Sequence, residues 1–278
     1  MAQILDGKTL RDEIEKDLKS KIQNLKTKPK LVIIQIGDVA ESNTYIGQKV
    51  KFGEKIGAIV THKKLPEDIP EHELIEQIQL ANEDKNVNGI IVQLPIPQSV
   101  NKEKIIDTIS PEKDVDGQTA ISIKSLVDGL PTFIPATTKG VLTLLGKNKI
   151  ELSGKHAVVV GRSTLVGKPT ALALLNRDAT VTIAHAKTQN LQEITKSADI
   201  LIVAVGKPKM ITRDFVSENQ VVVDVGINVI NGKLIGDVDF DEVSKIVAAI
   251  SPVPGGVGPM TVASLFQNLM DAYKRQEN

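Results

Sequence analysis

Val158-Val159-Val160-Gly161-Arg162-Ser163-Thr164-Leu165-Val166-Gly167 is the stretch that decides the fold. A continuous apolar run stops at a glycine, and a second glycine opens a segment with helical spacing, Val166–Arg177. A buried strand turning straight into a helix is the first βα turn of a dinucleotide-type sheet. There, backbone N–H groups and the helix start face a pyrophosphate. The stretch departs from a full G-x-G-x-x-G, because Ser163 takes the middle position and the last glycine is displaced. Alone it fits a plain strand-to-helix turn equally well; its surroundings favour the first reading.

On the C-terminal side the same rhythm continues. His156–Val160 reads as a strand and Val166–Arg177 as a helix; Ala179–Ala184 is a strand and Asn190–Ala198 a helix; Ile200–Val205 and Val221–Val225 are further strands. Asn231-Gly232, between Val229-Ile230 and Leu234-Ile235, predicts a type I′ hairpin. A last helix is expected from Pro259 to Tyr273, apolar at Leu265, Leu269 and Ala272, with a frayed tail at Lys274–Asn278.

On the N-terminal side, Leu10, Ile14, Leu18, Ile22 and Leu25 mark one helix face. Strands at Leu31–Ile36, Ala58–His62 and Gly89–Gln93 alternate with helices at Glu41–Ile56, His72–Asn82 and Lys102–Ile109. Short apolar strands separated by helices predict a mostly parallel sheet covered on both faces. Ser110–Gly117 and Leu130–Thr138 read as loops, which puts a domain junction across Gly117–Ala136.

The expected fold is therefore α/β with two domains. Residues 1–120, joined by the last helix (259–278) packing back, form an N-terminal α/β domain. Residues 136–258 form a Rossmann-like NAD(P)-binding domain. The length of 278 residues suits two domains at about 150 each.

Composition narrows the function. Lys+Arg and Asp+Glu are both 34, so no net positive field gathers nucleic acid or an anionic membrane. With no Cys there is no disulfide, iron–sulfur cluster, thiolate-bound zinc or Cys nucleophile. Met1–Leu5 runs into Asp6-Gly7-Lys8 with no signal-peptide pattern, and the longest apolar runs are strand-sized. A soluble cytoplasmic protein is expected.

Several residues carry candidate chemistry. Tyr45 and Lys49 lie one turn apart on a predicted helix, so they project from one face. Short-chain dehydrogenases also use Tyr-x-x-x-Lys, but well downstream of their glycine turn; here the pair stands far upstream, which argues against that class. Gln93 ends a buried strand, where ligands of open α/β sheets bind. Pro111–Gly117 offers carboxylates, or is an ordinary acidic turn. Pro252–Thr261 is rich in Gly and Pro, and its glycines allow close approach of backbone to a flat ligand. The strand Ala179–Ala184 ends in His185-Ala186-Lys187-Thr188 without the acid that holds an NAD ribose, while Arg162 is suited to a 2′-phosphate. NADP is expected over NAD; Lys187 is otherwise a solvated surface charge. His62, His72, His156 and His185 have no metal-ligand spacing.

Taken together, Ser42-x-x-Tyr45-x-x-x-Lys49, Val92-Gln93-Leu94-Pro95, Pro111–Gly117, Gly161-Arg162-Ser163-x-x-Val166-Gly167-x-Pro169, Val223–Asn228 and Pro252–Thr261 occur in an order that resembles the bifunctional methylenetetrahydrofolate dehydrogenase/methenyltetrahydrofolate cyclohydrolase family. The resemblance covers essentially the whole chain. It implies NADP-dependent oxidation of 5,10-methylenetetrahydrofolate to 5,10-methenyltetrahydrofolate, then hydrolysis to 10-formyltetrahydrofolate, within one-carbon metabolism and purine biosynthesis.

By the same resemblance Lys49 is the key catalytic residue, Gln93 positions it, Tyr45 packs on the folate rings and Asp116 binds the pterin N–H edge. Val92, Leu94, Pro254, Gly255 and Gly256 line the substrate. Gly161, Arg162, Ser163 and Val166 hold the cofactor phosphates, and Ile227, Gly258 and Thr261 border the nicotinamide, in a cleft between domains. A homodimer is implied, with no nucleic-acid or membrane partner and no metal. Ala136 and Thr138 stand where the family commonly has Cys and Pro, and Ala186 where many members have a hydroxyl near the 2′-phosphate. Two other readings compete: a two-domain dehydrogenase of an amino acid or shikimate-like substrate, and a dinucleotide-binding module without chemistry. Gln93 and the Pro254–Thr261 loop count against the first, and the Tyr45, Lys49, Gln93 and Asp116 set against the second.

Overall fold

The computed structural model describes residues 2–277 and, within them, every side chain but that of Glu41. In chain order the elements begin with β1 (Gln3–Ile4), α1 (Gly7–Gln23), β2 (Lys30–Ile36), α2 (Ala40–Ile56), β3 (Ile59–Leu65), α3 (Glu71–Glu83) and β4 (Gly89–Val92). Then come α4 (Lys102–Asp107), α5 (Ala120–Val127), α6 (Ala136–Lys147), β5 (His156–Val160), α7 (Gly167–Leu175), β6 (Thr180–Ala184) and α8 (Leu191–Lys196). The chain closes with β7 (Ile200–Val203), β8 (Val221–Asp224), β9 (Asn228–Ile230), β10 (Lys233–Ile235), α9 (Phe240–Val243), β11 (Ala249–Ile250) and α10 (Val257–Glu277). It divides into two compact units: Asp12–Ala136 with Val262–Asn278, and Met1–Arg11 with Thr137–Thr261.

The first unit is built on three parallel strands in the order β3-β2-β4. Alternate residues of a strand share a face, so Val32, Ile34 and Ile36 of β2 join Ile90 and Val92 of β4 in one core. Leu74, Ile78 and Ala81 of α3 and Ile105 and Ile106 of α4 complete it. α2 approaches β3 and α10 through Gly53, where a Cβ would come within 2.4 Å of Val60 and 3.0 Å of Phe266. Beside that contact the Phe52 and Phe266 rings lie 5.3 Å apart.

The expected return of the last helix to the N-terminal half is found in this unit. Asn268 of α10 donates from Nδ2 to the carbonyls of Val115 (2.8 Å) and Ile134 (2.9 Å). The tail predicted to fray is instead helical to Glu277. Its polar side chains explain why: Gln276 donates to the Asn88 and Glu112 carbonyls (3.1 and 3.0 Å), and the Arg275 guanidinium lies 4.5 Å from the Phe133 ring centre.

The second unit carries six parallel strands in the order β1-β11-β8-β7-β5-β6. β5 sends the chain to β6 on one side and then to β7 on the other, so the strand order reverses between β5 and β7. In a doubly wound sheet that switch point opens a crevice beyond the strands' carboxyl ends. Asn231 and Gly232 both have positive φ (50° and 74°) between β9 and β10, as the type I′ expectation requires.

Several elements differ from the sequence reading. Met1–Arg11 was expected with residues 1–120, yet β1 pairs in parallel with β11. Two-residue strands leave no periodicity to read. The stretch read as an interdomain connection, Gly117–Ala136, holds α5, whose Thr119 side chain caps the Ser122 N–H at 3.2 Å. Of the stretch read as a second loop, Leu130–Thr138, residues 130–135 are irregular as expected, while the last three already belong to α6, which Pro135 immediately precedes. Gly140 inside α6 meets Met260, whose Cβ lies 3.0 Å from where a Gly140 Cβ would stand.

Phe266 is fully buried, so Phe266→Ala should cost about 3–5 kcal/mol of unfolding free energy. A denaturant curve within 1 kcal/mol of the unaltered protein's would contradict this packing.

Candidate active site

In the three-stranded unit the parallel pairing of β2 with β4 ends where the Gln93 N–H donates to the Ile34 carbonyl (2.8 Å). That bond fixes the Gln93 backbone at the carboxyl edge of the sheet. Its side chain faces Lys49 of α2, whose Nζ donates to Gln93 Oε1 at 2.8 Å. Gln93 Nε2 donates to the Leu94 carbonyl (2.8 Å), which also receives the hydroxyl of buried Ser42 (3.3 Å). Ser42 stands two turns before Lys49 on the same helix. The amide therefore presents oxygen, not nitrogen, to the lysine. Ser42 belonged to the recognised pattern but had no assigned part; only the folded geometry reveals one.

Burial lowers the Lys49 ammonium below its ordinary value, and the Asp116 carboxylate pulls it partly back. Burial also pushes Asp116 up, to about 6, against the lowering effect of Lys49 and with a further rise from Asp114. Tyr45 lies one turn before Lys49 and is 42% exposed. The structure thus brings Lys49, Gln93 and Asp116 together, with Tyr45, Val92 and Leu94 in the same unit.

The loop bearing Asp116 is held from several sides. Lys113 is buried, and its ammonium donates to the carbonyls of Ala81 (3.2 Å), Asn82 (2.6 Å) and Asp84 (2.9 Å) at the end of α3. Free carbonyls at a helix C-terminus favour a cation there. Asp114 accepts from the N–H groups of Gln118 (3.1 Å) and Thr119 (2.8 Å), and Asn268 holds the Val115 carbonyl. Gly117 has φ of 65°, and a Cβ there would lie 2.4 Å from the Phe133 carbonyl oxygen. The anchoring parts of Lys113, Asp114 and Asn268 escaped the sequence reading, because charge and amide patterns are silent about which backbone groups they meet.

In the six-stranded unit the Gly161 turn is as tight as the sequence implies. Gly161 has φ of 135°, and a Cβ would come within 2.2 Å of the Ala204 carbonyl oxygen across the switch point. A Cβ on Gly167 would stand 2.3 Å from Gly161 O, so both glycines are needed to close strand onto helix. Ser163 Oγ accepts from the N–H groups of Val166 (3.2 Å) and Gly167 (3.3 Å). Arg162 is exposed beside it. β6 ends next to β5, and there His185 Nδ1 accepts from the Lys187 N–H (3.2 Å). His156 bonds to Thr182 and Ser197 as a structural residue (2.9 and 3.1 Å).

Pro254, Gly255, Gly256, Ile227, Gly258 and Thr261 also lie in this unit. The glycines of the Pro252–Thr261 segment have separate reasons. Gly256 is pressed by Gly7, whose Cβ would lie 1.9 Å from Gly256 O, whereas Gly255 needs its φ of 113°. A Cβ on Gly258 would lie 3.6 Å from Ile227 Cδ1, an ordinary contact. Thr261 Oγ1 is 3.3 Å from Thr137 Oγ1.

A dinucleotide-type sheet in one unit, with a poorly hydrated lysine, an amide and a carboxylate in the other, defines a two-domain α/β enzyme of the dehydrogenase type. Residues 5–116 match the catalytic-domain model of tetrahydrofolate dehydrogenase/cyclohydrolase, and residues 135–277 match its NAD(P)-binding domain. The chain belongs to the tetrahydrofolate dehydrogenase/cyclohydrolase family. A bifunctional protein FolD from Methanospirillum hungatei is 50% identical, covering 96% of each chain. The crystal structure of a bifunctional FolD methylenetetrahydrofolate dehydrogenase/cyclohydrolase from Campylobacter jejuni has a TM-score of 0.97 at 44% identity, covering 99% of both chains. The Trypanosoma brucei enzyme, complexed with NADP cofactor and inhibitor, has a TM-score of 0.94 at 32% identity, over 100% of this chain and 99% of that one. Shikimate dehydrogenase from Aquifex aeolicus, at 14% identity, TM-score 0.53 and coverage of 91% and 93%, shares the fold alone. The dehydrogenase of a shikimate-like substrate is thereby disfavoured.

Because its folded value is raised, Asp116 contributes stability that is full below the ordinary carboxylate value and lost as pH rises through about 6. Removing the Lys49 charge should move the Asp116 midpoint above about 6, as read from its side-chain carboxyl carbon resonance. A midpoint that stays or falls in Lys49→Met would show that the two groups do not interact.

Proposed function

We propose that the chain catalyses two successive reactions on one folate. A hydride passes from the one-carbon bridge of 5,10-methylenetetrahydrofolate to NADP+, leaving the 5,10-methenyl cation. Water then adds to that cation, a proton is lost and the ring opens to 10-formyltetrahydrofolate. Membership of the family supports the reaction pair, and the 2.8 Å bond between Lys49 and Gln93 carries the assignment of its centre.

Both steps involve a cationic folate, beside which a fixed second positive charge is unfavourable. An amine whose pKa is lowered by burial is neutral more often and can accept the proton released by the attacking water. Gln93 holds that amine in place. Tyr45 offers an exposed ring for the pterin to pack on, and Asp116 an acceptor for its N–H edge. Val92, Leu94, Pro254, Gly255 and Gly256 line the substrate. Gly161, Arg162, Ser163 and Val166 take the cofactor phosphates, while Ile227, Gly258 and Thr261 border the nicotinamide. NADP is favoured over NAD by exposed Arg162 and by the lack of an acid after β6; the Trypanosoma brucei relative's cofactor agrees. Ala186 offers no hydroxyl there, which leaves the selection to Arg162. The same reading makes the protein a cytoplasmic homodimer, which light scattering and fractionation test.

The direct test mixes purified protein with methylenetetrahydrofolate and NADP+ or NAD+, following nicotinamide reduction and methenyl absorbance together. Reduction that depends on a shikimate-like acid and not on folate would reject the proposal. Lys49→Met should slow the hydrolytic step by at least about 10²-fold with an unchanged melting temperature; normal cyclohydrolase turnover would remove Lys49 from the mechanism. Arg162→Ala should raise KM for NADP+ far more than for NAD+, and equal changes would reject Arg162 as the selector.

A further inference from the structure

Two carboxylates in the six-stranded unit have no part assigned in these reactions, yet they are among its most buried polar groups. Asp237 is 0% exposed and Asp224 3%. Asp237 Oδ2 accepts from the N–H groups of Val205 (2.7 Å) and Gly206 (2.8 Å). Its Oδ1 accepts from the Lys207 N–H (2.8 Å) and Asn228 Nδ2 (2.9 Å). Asp224 accepts from the N–H groups of Gly226 (2.9 Å), Asp237 (3.1 Å) and Val238 (2.9 Å). Each of these bonds comes from an amide rather than from a cationic side chain.

Sequence has made room for both groups. A Cβ on Gly226 would stand 2.1 Å from the Asp237 carboxyl carbon, and one on Gly236 1.9 Å from Asp224 Oδ2. The glycine of Val225-Gly226-Ile227 is thus explained by a carboxylate lying against it. The knot ties together the loop after β7, the loop after β8 and the foot of the hairpin. All of them lie at the carboxyl-end side of the sheet, where such folds bind ligands. Val205–Lys207 directly follows Ala204, whose carbonyl oxygen is the atom that forbids a side chain at Gly161.

We propose that Asp237, braced by Asp224, is a positioning residue for the dinucleotide: it fixes Val205–Lys207 as a wall beside the Gly161 turn, against which the cofactor docks. This rests on the cofactor reading given above. Without the carboxylate, successive N–H groups turn to water and the loop samples other conformations. Cofactor binding must then supply the cost of ordering it.

The test uses the full chain carrying Asp237→Asn, with NADPH fluorescence for Kd, steady-state kinetics, and amide hydrogen exchange of the cofactor-free protein. Charge-assisted bonds of this kind predict a Kd raised by about tenfold or more. The KM for NADP+ rises with it, kcat at saturating cofactor stays within about threefold, KM for the folate is unchanged, and exchange quickens at Val205, Gly206 and Lys207. Unchanged Kd, or a fall in kcat with KM for NADP+ fixed, overturns the proposal. If Asp237→Asn does not fold, Asn228→Ala removes one donor to the same carboxylate and should raise Kd in the same direction by a smaller factor; an unchanged Kd there overturns the proposal equally. Failure of the unaltered chain to bind NADPH overturns the cofactor reading as well, whereas binding by the unaltered chain with unchanged affinity in the variant overturns this proposal alone.

Discussion

An ammonium group set at the carboxyl edge of a three-stranded sheet, where water is scarce, is the constraint from which the candidate site follows. Burial disfavours its charge, so the group needs an oriented acceptor and a nearby anion, and it has both in Gln93 and Asp116. Each of those partners is fixed by its own support. Gln93 is held through the Ile34 carbonyl and through the Leu94 carbonyl that it shares with Ser42. Asp116 sits on a loop clamped by Lys113, Asp114 and Asn268. Loosening any of these supports leaves the side chains present but misaligned.

The two units handle buried charge in the same way. Lys113 is surrounded by carbonyls at a helix end, and Asp224 and Asp237 by amide N–H groups of loops. Buried charges are tolerated when hydrogen bonds replace the lost hydration, and backbone groups do so without needing a second ionised side chain. The consequence is that loops at strand ends are anchored through backbone carbonyls and amides rather than through paired side-chain charges. Close glycine contacts at Gly161, Gly167, Gly226 and Gly236 are the steric counterpart of these anchors.

Much of this was legible in the sequence where the signal was local. The β5 turn, the hairpin at Asn231-Gly232 and the long strands and helices follow from apolar periodicity and turn chemistry. β1 and β11 were not legible, being two residues each and defined only by their partners. α5 lies unread within the expected junction Gly117–Ala136, and the first residues of α6 fall in the stretch Leu130–Thr138 that Pro131 and Pro135 mark as a loop. Tyr45, Lys49, Gln93 and Asp116 were singled out as candidates by their motif pattern. The 2.8 Å bond that joins Lys49 to Gln93 links a helix residue to one set by the non-local β2–β4 pairing, which no local pattern reveals.

The central claim is that Lys49 is easier to deprotonate than a solvated lysine. Nitrogen-15 NMR of the lysine Nζ resonances, with Lys49 assigned by its loss in Lys49→Arg, measures this across a pH titration. The account predicts a midpoint below the ordinary value of about 10.4. A midpoint at or above that value would mean that Lys49 is hydrated or ion-paired like a surface residue, and would contradict the account.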